Sequence, residues 1–197
     1  MDHLGLAEPA PHRIRPALRS ELPAIRAIEH EAAQRFMGTA QAWIAQDPTA
    51  PEALLEARLG AGGLWVACLD GDQPVAALRF RPLDGGLYIE QLDVLPAFAG
   101  KRLGAALLDH AEDLARQAGL LALVLSTFRD IPWNAPWYSR IGFEVVDVLP
   151  AELESIRTEH LARGLDERQR VFMRRDVRGS RWAAELGSQG GSGVQEW

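Results

Sequence analysis

The chain has 197 residues, 47% of them hydrophobic and 24% charged, a composition that belongs to a folded domain and excludes a disordered chain. A formal charge of −6 argues against broad nucleic-acid binding, which needs a basic footprint, and is compatible with a cationic partner such as an amine. No apolar run reaches the roughly 20 residues of a membrane helix, the first residues lack the apolar stretch of a signal peptide, and the single cysteine, Cys68, excludes an internal disulfide; a cytoplasmic setting is the expectation.

His12–Ala17 predicts a short strand, with Ser20 as N-cap of the helix that follows. Leu22, Ile25, Ile28, Ala32 and Phe36 recur at helical spacing, and a short helical turn is expected within Thr39–Ile44. Pro51 opens a second helix, which Gly60–Gly63 ends. Three strands are then expected over Leu64–Leu69, Pro74–Arg81 and Leu87–Leu95, joined by the turns Asp70-Gly71-Asp72 and Asp84-Gly85-Gly86.

The pattern next switches to alternating helix and strand. Lys101–Gln117 carries Leu103, Leu107, Ala111 and Leu114 along one face, and Leu120–Ser126 reads as a buried strand. A short helix over Ala135–Ile141 precedes a strand over Phe143–Val148; a helix over Ala151–Arg163 and a strand over Gln169–Asp176 complete a mixed α/β domain spanning residues 12–177. Residues 178–197, rich in Gly, Ser and Gln, are expected to form a flexible tail.

The segment Leu92-Asp-Val-Leu-Pro-Ala-Phe-Ala-Gly-Lys-Arg-Leu-Gly-Ala105 carries most information. A strand ends at Pro96, and a turn holding Gly100 and Gly104 opens an amphipathic helix. Backbone N–H groups at a helix start are unpaired and lie at the positive end of the helix dipole, so a phosphate is their natural partner. Lys101, the chain's one lysine, and Arg102 add full charge. From these residues alone, a phosphate cradle and an ordinary strand-to-helix turn remain equally open.

The segment resembles the signature of the GNAT superfamily of N-acetyltransferases, V-x-P followed by (Q/R)-x-x-G-x-(G/A). Val94 and Pro96 fit the first part, Gly104 the final (G/A) of the second, and Gly100 matches a glycine common in the loop. Ala99 stands where Gln or Arg is usual, and Arg102 where glycine is frequent. A second segment, Asn134-Ala-Pro-Trp-Tyr-Ser-Arg-Ile-Gly-Phe143, matches the family's helix with Tyr138 followed by Gly142-Phe143.

The resemblance implies a mostly antiparallel central sheet with helices on both faces, and acetyl-coenzyme A as co-substrate. It implies that Ala99, Gly100, Lys101, Arg102, Leu103, Gly104 and Ala105 grip the pyrophosphate, and that main-chain groups near Leu92 and Val94 align the pantetheine arm and thioester. The implied acceptor is a small-molecule amine or a peptide amine, attacking the thioester directly. A homodimer is compatible with how relatives often pair.

By resemblance Tyr138 is the acid for the leaving thiolate, since a phenol near pKa 10 is protonated at neutral pH. Glu90, placed by period-two alternation on the face of Leu92 and Val94, is either the base for the amine or a solvated strand carboxylate. Asn134 either contacts the cofactor or caps the short helix. Trp133 and Trp137 either line a pocket or pack in the core. The five histidines show no metal-ligand spacing, so no metal is expected. A non-catalytic acyl-coenzyme A sensor is the alternative to an enzyme.

Overall fold

In a computed structural model of the protein, residues 12–69 and 72–177 are described. Strand β1 (Arg13–Pro16) leads through a 3-10 turn into helix α1 (Leu22–Ala33). Ser20 does not cap α1; Glu21 holds the N-cap position. The Glu21 carboxylate accepts the Leu18 N–H at 2.8 Å and the Arg15 guanidinium at 2.6 and 2.9 Å. Arg15, the largest influence, holds the Glu21 carboxyl below its usual range. That carboxylate closes the turn ahead of the helix, and no side chain caps α1 itself.

A 3-10 turn at Ala42–Gln46 fills the stretch before helix α2 (Glu52–Gly60), whose N-cap is Pro51. Strand β2 (Leu64–Cys68) pairs antiparallel with β1 and with β3 (Pro74–Leu83), and β4 (Gly86–Val94) follows after the turn at Gly85, φ +68°. Helix α3 (Leu103–Gln117) crosses to β5 (Ala122–Phe128), which runs parallel to β4. Strand β5 begins two residues later than expected, because Leu120 N–H closes the end of α3 on Ala115 O and Leu121 N–H bonds Gly85 O. Helix α4 (Ala135–Arg140), strand β6 (Glu144–Val145), helix α5 (Ala151–Ala162) and strand β7 (Arg170–Asp176) complete the order.

The strands are hydrogen-bonded in the order β1-β2-β3-β4-β5-β7-β6, a mixed seven-stranded sheet. Strand β6 is shorter than the expected Phe143–Val148: only Glu144 and Val145 pair, with Arg174 and Met173 of β7, and Val148 is 86% exposed. The expected tail from residue 178, Asp70 and Gly71 of the first hairpin turn, and residues 1–11 lie outside the described residues.

The chain divides into two compact units, one formed by residues up to Phe80 with Gln91–Leu108, the other by Arg81–Glu90 with residues from Asp109 on. In the first, Leu22 and Ile25 of α1 and Leu55 of α2 pack with Leu64, Val66 and Ala77 of β2 and β3. In the second, Tyr88, Ala122, Val124 and Phe172 pack with Leu153 and Ile156 of α5. Gly86 is required where β4 meets β5, because a Cβ there would sit 2.7 Å from Ala122 O.

Arg175 of β7 is a buried charge hub in the second unit. Its guanidinium meets Glu112 at 3.1 Å and Asp109 at 3.2 Å, both on α3, and lies over the Phe143 ring at 5.1 Å. Arg175 and Glu112 are each 5% exposed. Removing one partner leaves the other charge buried, so Arg175→Met should cost about 3 kcal/mol in urea unfolding. The double variant Arg175→Met/Glu112→Leu should recover most of that loss.

Candidate active site

The first unit holds the glycine-bearing turn between β4 and α3. After β4, Pro96–Phe98 makes one 3-10 turn, and Ala99, exposed, closes it through its N–H on Pro96 O at 3.1 Å. Gly100 then adopts φ +78° and Arg102 φ +61°. Two left-handed residues so close together turn the chain sharply, and backbone of this kind is able to present successive N–H groups to an anion.

The Arg102 carbonyl accepts the Ala106 N–H at 3.0 Å, so α3 starts there and the N–H groups of Leu103, Gly104 and Ala105 lie in its first turn. The Leu103 side chain is 2% exposed and belongs to the core, so only its main chain can serve a ligand. Lys101 and Arg102 are exposed, and Lys101 Nζ sits 5.1 Å from the Phe98 ring centre. This backbone and these charges fit a pyrophosphate.

The geometry also accounts for the departure seen in the sequence. The position where glycine is frequent is the one with φ +61°, and Arg102 bears the side-chain crowding that glycine escapes. Leu92 and Val94, half-buried in β4, precede the turn directly.

The second unit carries the other predicted groups. The ladder between β4 and β5 joins Gly86–Ile89 to Ala122–Leu125, and Glu90 is the next residue of β4. Its Oε1 takes the Arg81 Nε at 3.2 Å. Arg81 also reaches Glu159 of α5 at 3.1 Å and lies 5.5 Å from the Tyr88 ring centre. Glu90 is therefore part of an ion-pair cluster, not a carboxylate solvated on its own.

Beside that cluster Tyr88 Oη meets His160 Nε2 at 3.3 Å, and His160 Nδ1 meets Glu167 at 2.8 Å. Burial is the main cause that pulls His160 down to about 4 and pushes Tyr88 up to about 12.

Asn134 is the N-cap residue of α4, but its side chain makes no capping hydrogen bond; its carbonyl accepts the N–H groups of Trp137 and Tyr138. Tyr138 is half-buried, edge-on to Phe143 at 5.5 Å and to Trp137 at 4.8 Å. The Phe143 N–H returns to Tyr138 O at 3.1 Å, so the Gly142 turn, φ +90°, locks helix and strand together around that ring. Among the described residues no group of His, Cys, Asp and Glu could hold a metal ion.

One constellation was not anticipated. Asp93, half-buried on β4, accepts Gln91 Nε2 at 3.1 Å, and its carboxyl is pushed up to about 7, first by burial and then by Glu29 of α1. The sequence signal was an aspartate set between Leu92 and Val94 in a strand; its neighbour on α1 could not be read there.

A mixed seven-stranded sheet in which a glycine-bearing turn joins β4 to α3 defines a mixed α/β class of protein. The acetyltransferase (GNAT) family model matches residues 23–143, and the chain belongs to that family. Among solved structures it resembles the PaiA N-acetyltransferase of Thermoplasma acidophilum in complex with coenzyme A (15% identity, TM-score 0.63, 84% of this chain and 99% of that one).

It also resembles the ribosomal-protein-S18-alanine N-acetyltransferase of Escherichia coli (17% identity, TM-score 0.57, 84% and 94%). A third likeness is to N-acetylglutamate synthase of Neisseria gonorrhoeae complexed with coenzyme A and N-acetyl-glutamate (20% identity, TM-score 0.64, 87% of this chain but 36% of that one). At these identities the likeness is one of fold.

Arg102→Gly should separate backbone strain from charge. Relief of the left-handed conformation should leave thermal stability unchanged or raise it by up to about 1 kcal/mol. Loss of the guanidinium should weaken acetyl-coenzyme A in calorimetry.

Proposed function

We propose that residues 12–177 form an enzyme that transfers an acetyl group from acetyl-coenzyme A to the amine of a small molecule or peptide by direct attack. The observation that carries the reading is the turn at Gly100–Arg102, whose two positive φ angles and exposed Lys101 and Arg102 precede the first turn of α3. An anion there meets unpaired N–H groups, the helix dipole and two full charges. Bound acetyl-coenzyme A supplies the activated thioester carbonyl.

In this reading the main chain of Leu92 and Val94 aligns the thioester arm, and an N–H of the strand polarises its carbonyl. Tyr138 gives its proton to the departing thiolate, its ring held edge-on by Phe143 and Trp137. Asn134, whose side chain does no capping, contributes a polar contact to cofactor or acceptor. Glu90 is a carboxylate able to draw the amine's proton through water. One of its oxygens already receives Arg81, so that water competes with a guanidinium donor.

Calorimetric titration with acetyl-coenzyme A should show saturable binding that Lys101→Glu/Arg102→Glu weakens strongly. Turnover against an amine panel should follow, with Tyr138→Phe slowing it about 10²–10⁴-fold. Absence of binding at millimolar ligand would sink the reading. Tight binding without turnover on any amine would favour the sensor.

A further inference from the structure

The second half of β4 carries a carboxyl that the reaction as read so far leaves unused. Gln91 and Asp93 share one face of the strand, as their 3.1 Å side-chain hydrogen bond shows, and alternation puts Leu92 and Val94 on the other. The groups around Asp93 come from three elements: Glu29 from α1, Arg79 from β3 and Gln91 from β4 itself.

Glu29 is fixed in place. Its Oε2 accepts the Ala50 N–H at 3.1 Å and lies 4.0 Å from Arg79 Nη1. Burial and the Glu29 charge disfavour the ionised form of Asp93, while the Gln91 hydrogen bond and Arg79 oppose them; the balance leaves the carboxyl at about 7. The two carboxyls thus sit in different surroundings, one accepting a backbone N–H and lying near a guanidinium, the other accepting from a neutral amide. Such a division separates a fixed charge from a proton-transferring group.

We propose that Asp93 is the catalytic residue that takes the proton the acceptor amine must lose, with Glu29 and Gln91 as its positioning residues. The inference rests on the acetyl-transfer reading above. Asp93 lies between the two residues whose main chain aligns the thioester arm in that reading, and a base working near neutrality is most effective when its own pKa lies there.

The step balances as follows. The ammonium gives one proton to the Asp93 carboxylate, which passes it to solvent. The freed nitrogen lone pair forms the N–C bond and the C–S bond breaks. The nitrogen then sheds a second proton, matching the one the thiolate takes from Tyr138. Glu29 supplies a fixed negative charge for the arriving cation.

The test is the pH profile of kcat/KM for the full chain with acetyl-coenzyme A and the best amine of the panel, beside Asp93→Asn, Glu29→Gln and Glu90→Gln. The wild-type rate should rise about tenfold per pH unit below about 7 and level off above it. Asp93→Asn should lose this limb and about 10²–10⁴-fold in rate at pH 7, while calorimetric affinity for acetyl-coenzyme A stays within threefold. Glu29→Gln removes a charge that raises Asp93, so its limb should move to lower pH.

An unchanged limb in Asp93→Asn overturns the proposal, as does loss of the limb in Glu90→Gln alone. So does a limb that follows the pKa of the amine when acceptors differing by about 2 units are compared. Should Asp93→Asn fail to fold, the shift in Glu29→Gln decides the matter. These outcomes are distinct from failure of the acetyl-transfer reading, which shows as absence of cofactor binding by the wild-type protein.

Discussion

Strand β4 is the constraint on which the site depends. It joins β5 in parallel over Gly86–Ile89, and it can do so because Gly86 has no Cβ to meet the Ala122 carbonyl. From there the same strand runs on through Glu90, Leu92, Asp93 and Val94 to the turn at Gly100. A single extended segment therefore serves as sheet strand, as the bearer of carboxyls and as the lead into the glycine-bearing turn before α3. Strand geometry fixes the spacing of these functions, because successive side chains alternate in direction while the main chain stays continuous.

Charge placement follows a consistent economy. Arginines do the structural pairing: Arg15 with Glu21, Arg81 with Glu90 and Glu159, Arg175 with Glu112 and Asp109. A planar guanidinium can satisfy several acceptors at once and keeps its charge when half-buried. The one lysine is kept at the exposed turn, where a compact point charge suits a phosphate. The acidic excess of the chain includes Glu29 and Asp93, so the carboxylates that could meet a cation are not simply solubilising surface.

Most of the fold was legible because its signals are local. Leu22, Ile25, Ile28 and Ala32 all proved to be buried on α1, and Gly85, Gly100, Gly119 and Gly142 all take the positive φ that ends an element. What could not be read depended on contacts distant in sequence. The insertion of β7 between β5 and β6 leaves no mark in the apolar pattern of either, and the Glu21 carboxylate, held by Arg15 and the Leu18 N–H, closes the turn ahead of α1 without capping the helix. In the candidate site, the strand-turn-helix was readable from its glycines, yet the left-handed φ of Arg102 was not, since arginine seldom adopts it. Asp93 went unremarked because its meaning comes from Glu29, which only the fold brings near.

The surroundings of Asp93 also tie folding to proton uptake. In the unfolded chain an aspartate releases its proton at about 4, whereas in the native protein this one holds it to about 7. Between those values the native state binds a proton that the unfolded state lacks. The stabilisation this brings is complete at low pH and is lost as pH rises through the native value, the reverse of a carboxylate gripped by arginine such as Glu21. The protein thus carries its greatest burden at Asp93 in the ionised form, the form able to accept a proton, and Gln91 and Arg79 are the groups that keep that burden bearable.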